Sequence, residues 1–204
     1  MEAAGRYPFV LGQLISPPTF RAWFGYPYAI DNGAFGGFDE ARFLSILKRQ
    51  KADGHGKCLF VACPDVVGSA RRTLEVFDAW APRLDGWPVA LVAQDGIEEL
   101  PIPWEMCRAV FIGGSTEWKE SQSAADVVRA AKIIGKHVHV GRVNTPRRFA
   151  HFEELGADTC DGTGVSRYTW MLDKIAARDY EDTPLFDSIV SAAPSSRPQP
   201  QTGN

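Results

Sequence analysis

Residues 89–140 read VALVAQDGIEELPIPWEMCRAVFIGGSTEWKESQSAADVVRAAKIIGKHVHV. Three short apolar runs punctuate this stretch: Val89-Ala90-Leu91-Val92-Ala93, Ala109-Val110-Phe111-Ile112 and His137-Val138-His139-Val140. The first two lack polar alternation, which fits strands buried on both faces. A Pro-rich connection around Pro101 and Pro103 separates them, and a helical segment from Ser123 to Ile134 separates the second from the third. Strand, helix and strand in that order are the mark of parallel βα units.

The same rhythm extends in both directions. Upstream lie Phe9-Val10-Leu11, Tyr28-Ala29-Ile30 and Cys58-Leu59-Phe60-Val61-Ala62. A helix is predicted from about Asp39 to Asp53, with Phe43, Leu44 and Leu47 at helix spacing. Ser69 can N-cap the next helix, which buries Leu74, Phe77 and Ala81 before Pro82 stops it. Downstream, Thr145 and Pro146 suit the cap and first position of a helix to about Leu155. Thr159-Cys160-Asp161 reads as a last short strand, and a helix is predicted from about Ser166 to Ala176. Seven strands in α/β alternation fit a compact, incomplete (β/α)8 TIM-like barrel, or an open doubly wound sheet. The GxGxxG turn of dinucleotide-binding sheets is absent after the first strand. One barrel domain is expected over residues 1–191, with a disordered Pro- and Ser-rich tail over 192–204.

At 204 residues, 45% hydrophobic and 23% charged, the chain has ample material for one core. Its net charge of −3 argues against nucleic-acid binding by bulk positive charge, though not against a local basic patch. No apolar run is long enough to span a bilayer, and the N-terminus lacks the pattern of a signal peptide. Cys58, Cys63, Cys107 and Cys160 are scattered without a CxxC pair, against a zinc site and in favour of free thiols in a reducing cytoplasm. No cofactor and no metal are expected.

In barrels, function collects at the C-terminal ends of strands. The residues found there are Asp31-Asn32-Gly33, Cys63-Pro64-Asp65, Gln94-Asp95-Gly96, Gly113-Gly114-Ser115-Thr116, Gly141-Arg142-Val143-Asn144 and Asp161-Gly162-Thr163-Gly164. Two carboxylates facing one cavity, Asp31 and Asp161, suit glycosyl chemistry, one attacking an anomeric carbon and the other moving a proton. Turn and cap roles are the plainer explanation of either residue alone. Asp65 and Gln94 can read a purine-like edge, since a carboxylate accepts and an amide does both. Gly113-Gly114 lets a ligand approach the backbone, and the Gly-Gly-Ser-Thr run can instead cradle a phosphate. Phe35 can stack on a base or fill a core. His137 and His139 share a strand face and read as structural histidines. No lysine ends a strand, so a Schiff-base nucleophile is not evident.

Taken in order, these strand ends resemble the tRNA-guanine transglycosylase superfamily, and more closely its short relatives of phage or bacterial origin that put 7-deazaguanines into DNA. Asp31-Asn32-Gly33-Ala34-Phe35 is similar to the family's Asp-Ser-Gly-Gly-aromatic segment, and Gln94-Asp95-Gly96 to its Gln-Gly-Gly. Phe111 to Ser115 is similar to its glycine-rich base-binding loop, and His139-Val140-Gly141 through Thr145-Pro146 to its strand, glycine and Thr-Pro helix start. Gly156-Ala157-Asp158-Thr159-Cys160-Asp161 looks like its nucleophile segment. The resemblance implies that Asp161 attacks the anomeric carbon of a guanosine and that Asp31 is the general acid/base. It implies that Asp65, Gln94 and the Gly113-Gly114 backbone read the base edge, while Phe35 and Val140, with Gly141 beside them, enclose its faces.

No cysteine follows Cys160, so the family's zinc subdomain is missing. That favours DNA over tRNA as the polymer, with an incoming base such as 7-cyano-7-deazaguanine. Arg142, Arg147, Arg148 and Arg167 near the mouth, and Arg71-Arg72, are candidates for phosphate contacts to a flipped nucleotide. A homodimer or partner protein is a possible complement. Two other functions remain open: an isomerase or lyase on a small phosphorylated metabolite, and a non-catalytic base- or nucleic-acid-binding relative.

Overall fold

A computed structural model describes residues 6–17, 22–53 and 55–180. Seven parallel strands form one sheet: β1 (Gln13–Ile15), β2 (Tyr28–Ile30), β3 (Cys58–Ala62), β4 (Val89–Ala93), β5 (Ala109–Ile112), β6 (His137–Val140) and β7 (Thr159–Cys160). Their spatial order is their sequence order. A doubly wound sheet reverses its strand order at a switch point. This one never reverses, so that architecture is excluded. Right-handed crossovers in unbroken order put every helix on one side of the sheet, which curls around the other into a half-barrel. Among the described residues β1 pairs only with β2, and β7 only with β6.

The connecting helices are α1 (Glu40–Asp53), α2 (Ala70–Trp80), α3 (Thr116–Lys119), α4 (Gln122–Ile133), α5 (Pro146–Glu154), α6 (Thr163–Arg167) and α7 (Thr169–Ala177). Local chemistry sets several of their ends. The Thr145 hydroxyl accepts from Arg148 N at 3.2 Å, and Pro146 occupies the first turn of α5, where a missing N–H costs nothing. Ser121 caps α4 through Ala124 N. Ser69 stands at the α2 cap, but its side chain makes no capping bond. The Thr73 hydroxyl bonds both Val66 N and Val66 O and secures that corner instead. Pro82 does end α2, and the chain continues into a 3-10 turn over Ala81–Leu84.

Strand parity sorts the core into two layers. On β5, Val110 and Ile112 join the large outer core between sheet and helices, together with Leu91, Phe77 and Val128. Ala109 and Phe111 face the concave interior with Ala29, Phe60, Ala90 and Leu14. Small residues on three strands leave room there for two phenylalanines and two histidines. Phe60 and Phe111 meet edge-on at 6.0 Å, and His139 packs 4.8 and 4.6 Å from them.

Two expectations shift. The first strand is Gln13–Ile15, not the Phe9 run: Val10 is 79% exposed, whereas Ile15 is buried and Gln13 N bonds Pro27 O. The last helix is two, broken where Tyr168 turns extended between α6 and α7. The proposed tail, 192–204, lies outside the described residues. All four cysteines are unpaired, and no described helix is long and apolar enough to cross a membrane.

Candidate active site

Asp31 and Asp161 stand immediately beyond β2 and β7, near opposite ends of the described chain. The curl of the sheet brings both to one cavity of about 620 Å³, whose walls include Tyr28, Phe60, His139 and Leu172. The backbone fixes each position. Asp31 N donates to Ile15 O at 2.8 Å, and Asp161 N donates to Val140 O at 3.1 Å, so each Asp is the last residue tied to its neighbouring strand.

The surroundings of the two carboxylates differ. Burial pushes the Asp31 carboxyl above its usual range, and the charges of Asp161 and Asp65 push the same way. The amides of Gly33 and Asn32 oppose this. Gly33 sits at φ 77°, a left-handed turn that glycine enters without penalty. Asp161 is held from two sides: His139 Nε2 lies 3.0 Å from Oδ2, and Arg142 N donates to Oδ1 at 3.2 Å. His139 is buried, and its Nδ1 lies 2.8 Å from the Thr159 hydroxyl. That hydroxyl also lies 2.9 Å from His137 Nε2. A metal is not needed to satisfy either histidine, and no cluster of potential metal ligands occurs among the described residues.

Arg142 is the centre of the mouth rather than part of an outer rim. Its backbone is left-handed at φ 60°, which for a non-glycine residue needs local compensation. Compensation is plentiful. The guanidinium donates to Gly113 O at 2.7 Å and Gly114 O at 2.6 Å, and lies 5.0 Å from the Phe35 ring. Lys119 Nζ donates to Gly141 O on the preceding peptide. Lys119 is buried, and burial together with the Arg142 charge pushes its pKa down to about 8.

A second polar group lies beyond β2, β3 and β4. Asp65 accepts from Asn32 Nδ2 at 2.8 Å and from Gln94 Nε2 at 2.7 Å. Asn32 also donates to Cys63 O, and Gln94 Oε1 accepts from Gly68 N. Gln94 is 2% exposed, so its amide is a structural member of this net as well as a candidate reader. Burial raises the Asp65 carboxyl, while the Asn32 and Gln94 bonds and the Arg142 charge act against it. Neither Asp65 nor Gln94 is among the residues that line the cavity of Asp31 and Asp161.

The glycine loop behaves differently from expectation. Gly113 N and Gly114 N both donate to Ala93 O, and Ser115 N and Oγ both donate to Asp95 at 2.6 Å. The amides are therefore spent inside the protein. A Cβ on Gly113 would lie 2.7 Å from Val92, and one on Gly114 2.3 Å from Asp95, so internal packing demands these glycines. A phosphate at this loop would face the Asp95 carboxylate, which disfavours the phosphorylated-metabolite reading.

Val140 corrects the expected sandwich. Its neighbour His139 faces the interior, so parity turns Val140 outward into the fully buried core with Ile112 and Val138. Gly141 meets the interior instead, where a Cβ would lie 2.6 Å from the Phe111 ring. Phe35 is 75% exposed, open to stacking. Arg148 pairs with Glu120, and Arg147 and Arg167 are exposed. Lys119 escaped the sequence reading, which took His139 as structural and not as a partner of Asp161. Strand parity was the usable signal for His139, because HVHV places both histidines on one face. The chain matches no family model and no curated protein.

Proposed function

We propose that this chain exchanges guanine in DNA for a 7-deazaguanine base through a covalent Asp161–nucleotide intermediate, on an incomplete (β/α)8-type barrel. The observation that carries this reading is one cavity lined by two carboxylates with unequal surroundings. Asp161, oriented by two donors, attacks C1′ of the flipped nucleotide. The C1′–N9 bond breaks, its electrons leave with guanine, and Asp31 delivers the proton that guanine needs. A carboxyl held above its usual range suits that acid role. The incoming base returns its N9 proton to Asp31, attacks C1′ and releases Asp161. Atoms and charges balance without a cofactor, in keeping with a cytoplasmic enzyme working on the polymer directly.

Asp65 and Gln94 offer the base edge an acceptor and a donor. The exposed Phe35 ring, with the Arg142 guanidinium 5.0 Å from its centroid, offers a stacking surface for one base face. Arg147 and Arg167 supply exposed charge for phosphates, a sparse set that fits a chain of net charge −3.

The test is incubation with DNA and RNA carrying labelled guanine, plus a panel of 7-deazaguanines including 7-cyano-7-deazaguanine. Label should leave DNA, and both Asp161→Asn and Asp31→Asn should stop it. A denaturation-resistant DNA adduct should trap at Asp161. Label kept in both polymers under every condition overturns the reading. Base binding without release would instead identify a non-catalytic relative.

A further inference from the structure

Behind Asp161 runs a chain of three more side chains: His139, Thr159 and His137. Strand register builds it. His139 pairs with Thr159 across β6 and β7, so both histidines and the Thr159 hydroxyl point into the same interior layer. Phe60 and Phe111 wall it off, with His139 only 4% exposed.

The proton count along this chain has one solution when Asp161 is ionised and His139 neutral. Thr159 has one hydroxyl proton and touches two imidazole nitrogens, at 2.9 and 2.8 Å. It can donate to only one of them. Were it to donate to His137, His139 would carry its proton on Nδ1. The bare lone pair of Nε2 would then face a carboxylate oxygen 3.0 Å away. With Thr159 donating to His139 Nδ1, His137 Nε2–H donates to Thr159 and His139 Nε2–H donates to Asp161. Every contact is then a hydrogen bond. Burial holds the His137 imidazole below its usual range, consistent with a neutral donor at the head of the chain.

We infer that Thr159, backed by His137, is a positioning residue that fixes the Nε2–H tautomer of His139 and so holds the Asp161 carboxylate for attack. The tautomer follows from the geometry with Asp161 ionised and His139 neutral, while its consequence for attack rests on the exchange reading. A third partner that sets the tautomer of a histidine is a recurrent device. Here the partner is a hydroxyl, and the histidine orients the nucleophile rather than deprotonating it.

Two measurements on the full chain test this. In long-range ¹H–¹⁵N spectra at pH 8, His139 should carry its proton on Nε2, with Nδ1 as an unprotonated acceptor. A proton on Nδ1, in the neutral ring or in an imidazolium, overturns the inference. Thr159→Val removes the hydroxyl at nearly constant volume. It should weaken the tautomer preference, which Asp161 alone then sets, and slow trapping of the Asp161–DNA adduct about tenfold or more, the rate cost of losing the His139 Nε2–H bond to the Asp161 carboxylate. Thr159→Ser should restore both. Unchanged spectra and adduct rate in Thr159→Val overturn the inference. If the native chain forms no adduct with any nucleic acid yet keeps the Thr159-dependent Nε2–H signature, the exchange reading fails and the tautomer assignment stands.

Discussion

The mouth has two halves that use similar residues for opposite ends. Beyond β3, β4 and β5, the polar groups of Asp65, Gln94, Asp95 and Ser115, joined by Asn32 from the end of β2, bond chiefly to one another and to the backbone. Beyond β2 and β7, Asp31 and Asp161 open onto a cavity. The first half resembles a recognition loop in sequence but spends most of its bonding capacity on shape. The second half looks like turn chemistry in sequence but sets both carboxylates on the wall of one cavity. Arg142 joins them, with its guanidinium on the carbonyls of the closed half and its N–H on Asp161.

The comparison breaks most sharply on activity. Asp161→Asn keeps the size but leaves either His139 Nε2–H or Arg142 N without its acceptor, so stability should fall by about 1–3 kcal/mol while base exchange falls about a thousandfold or more. A variant that exchanges bases normally would remove the open half from the chemistry. The closed half should answer in stability. Gln94→Leu leaves an Asp65 oxygen and Gly68 N without partners, at a cost of about 2–3 kcal/mol. At this chain length that is a melting temperature lower by about 4–12 °C. An unchanged melt would mean that water replaces Gln94 freely and that the net is not closed.

Gly141→Ala probes the junction. The added methyl meets Phe111, the ring that packs on His139, and overpacking of this kind costs about 1–3 kcal/mol. Calorimetry should show that loss together with slower exchange, since Phe111 cannot yield without disturbing the histidine that holds Asp161. A loss of stability with full activity would show that the ring relaxes away from the site.

The α/β rhythm was legible because long apolar strands such as Val89–Ala93 are buried on both faces, which leaves a continuous run in one dimension. The strand Gln13–Ile15 was not: three residues with one polar member make no pattern, and only pairing with Tyr28–Ile30 defines them. Asp31 and Asp161 could be picked as strand ends, but their shared cavity depends on the curl of the whole sheet. The His139–Asp161 contact depends on β6–β7 register, and the inward turn of Arg142 depends on a positive φ. Neither quantity is written locally. Val140 was readable in principle, since parity with His139 decides its face before any packing is known.

The smallest expected effect separates the chemical burden of Asp31 from its structural one. Its folded-state carboxyl lies above the ordinary value of 3.8, chiefly through burial, so the folded chain holds that proton more firmly than the unfolded chain does. Stability from this group is therefore full below the unfolded value and is lost as pH rises through the folded value. Asp31→Asn carries no charge at any pH and escapes the loss. Exchange should stop in this variant, yet at pH 8 it should melt above the native chain. Below pH 4 the two melting curves should converge. If the native chain melts higher at pH 8, the Asp31 carboxylate is stabilised where it stands, and the open half would be as self-satisfied as the closed one.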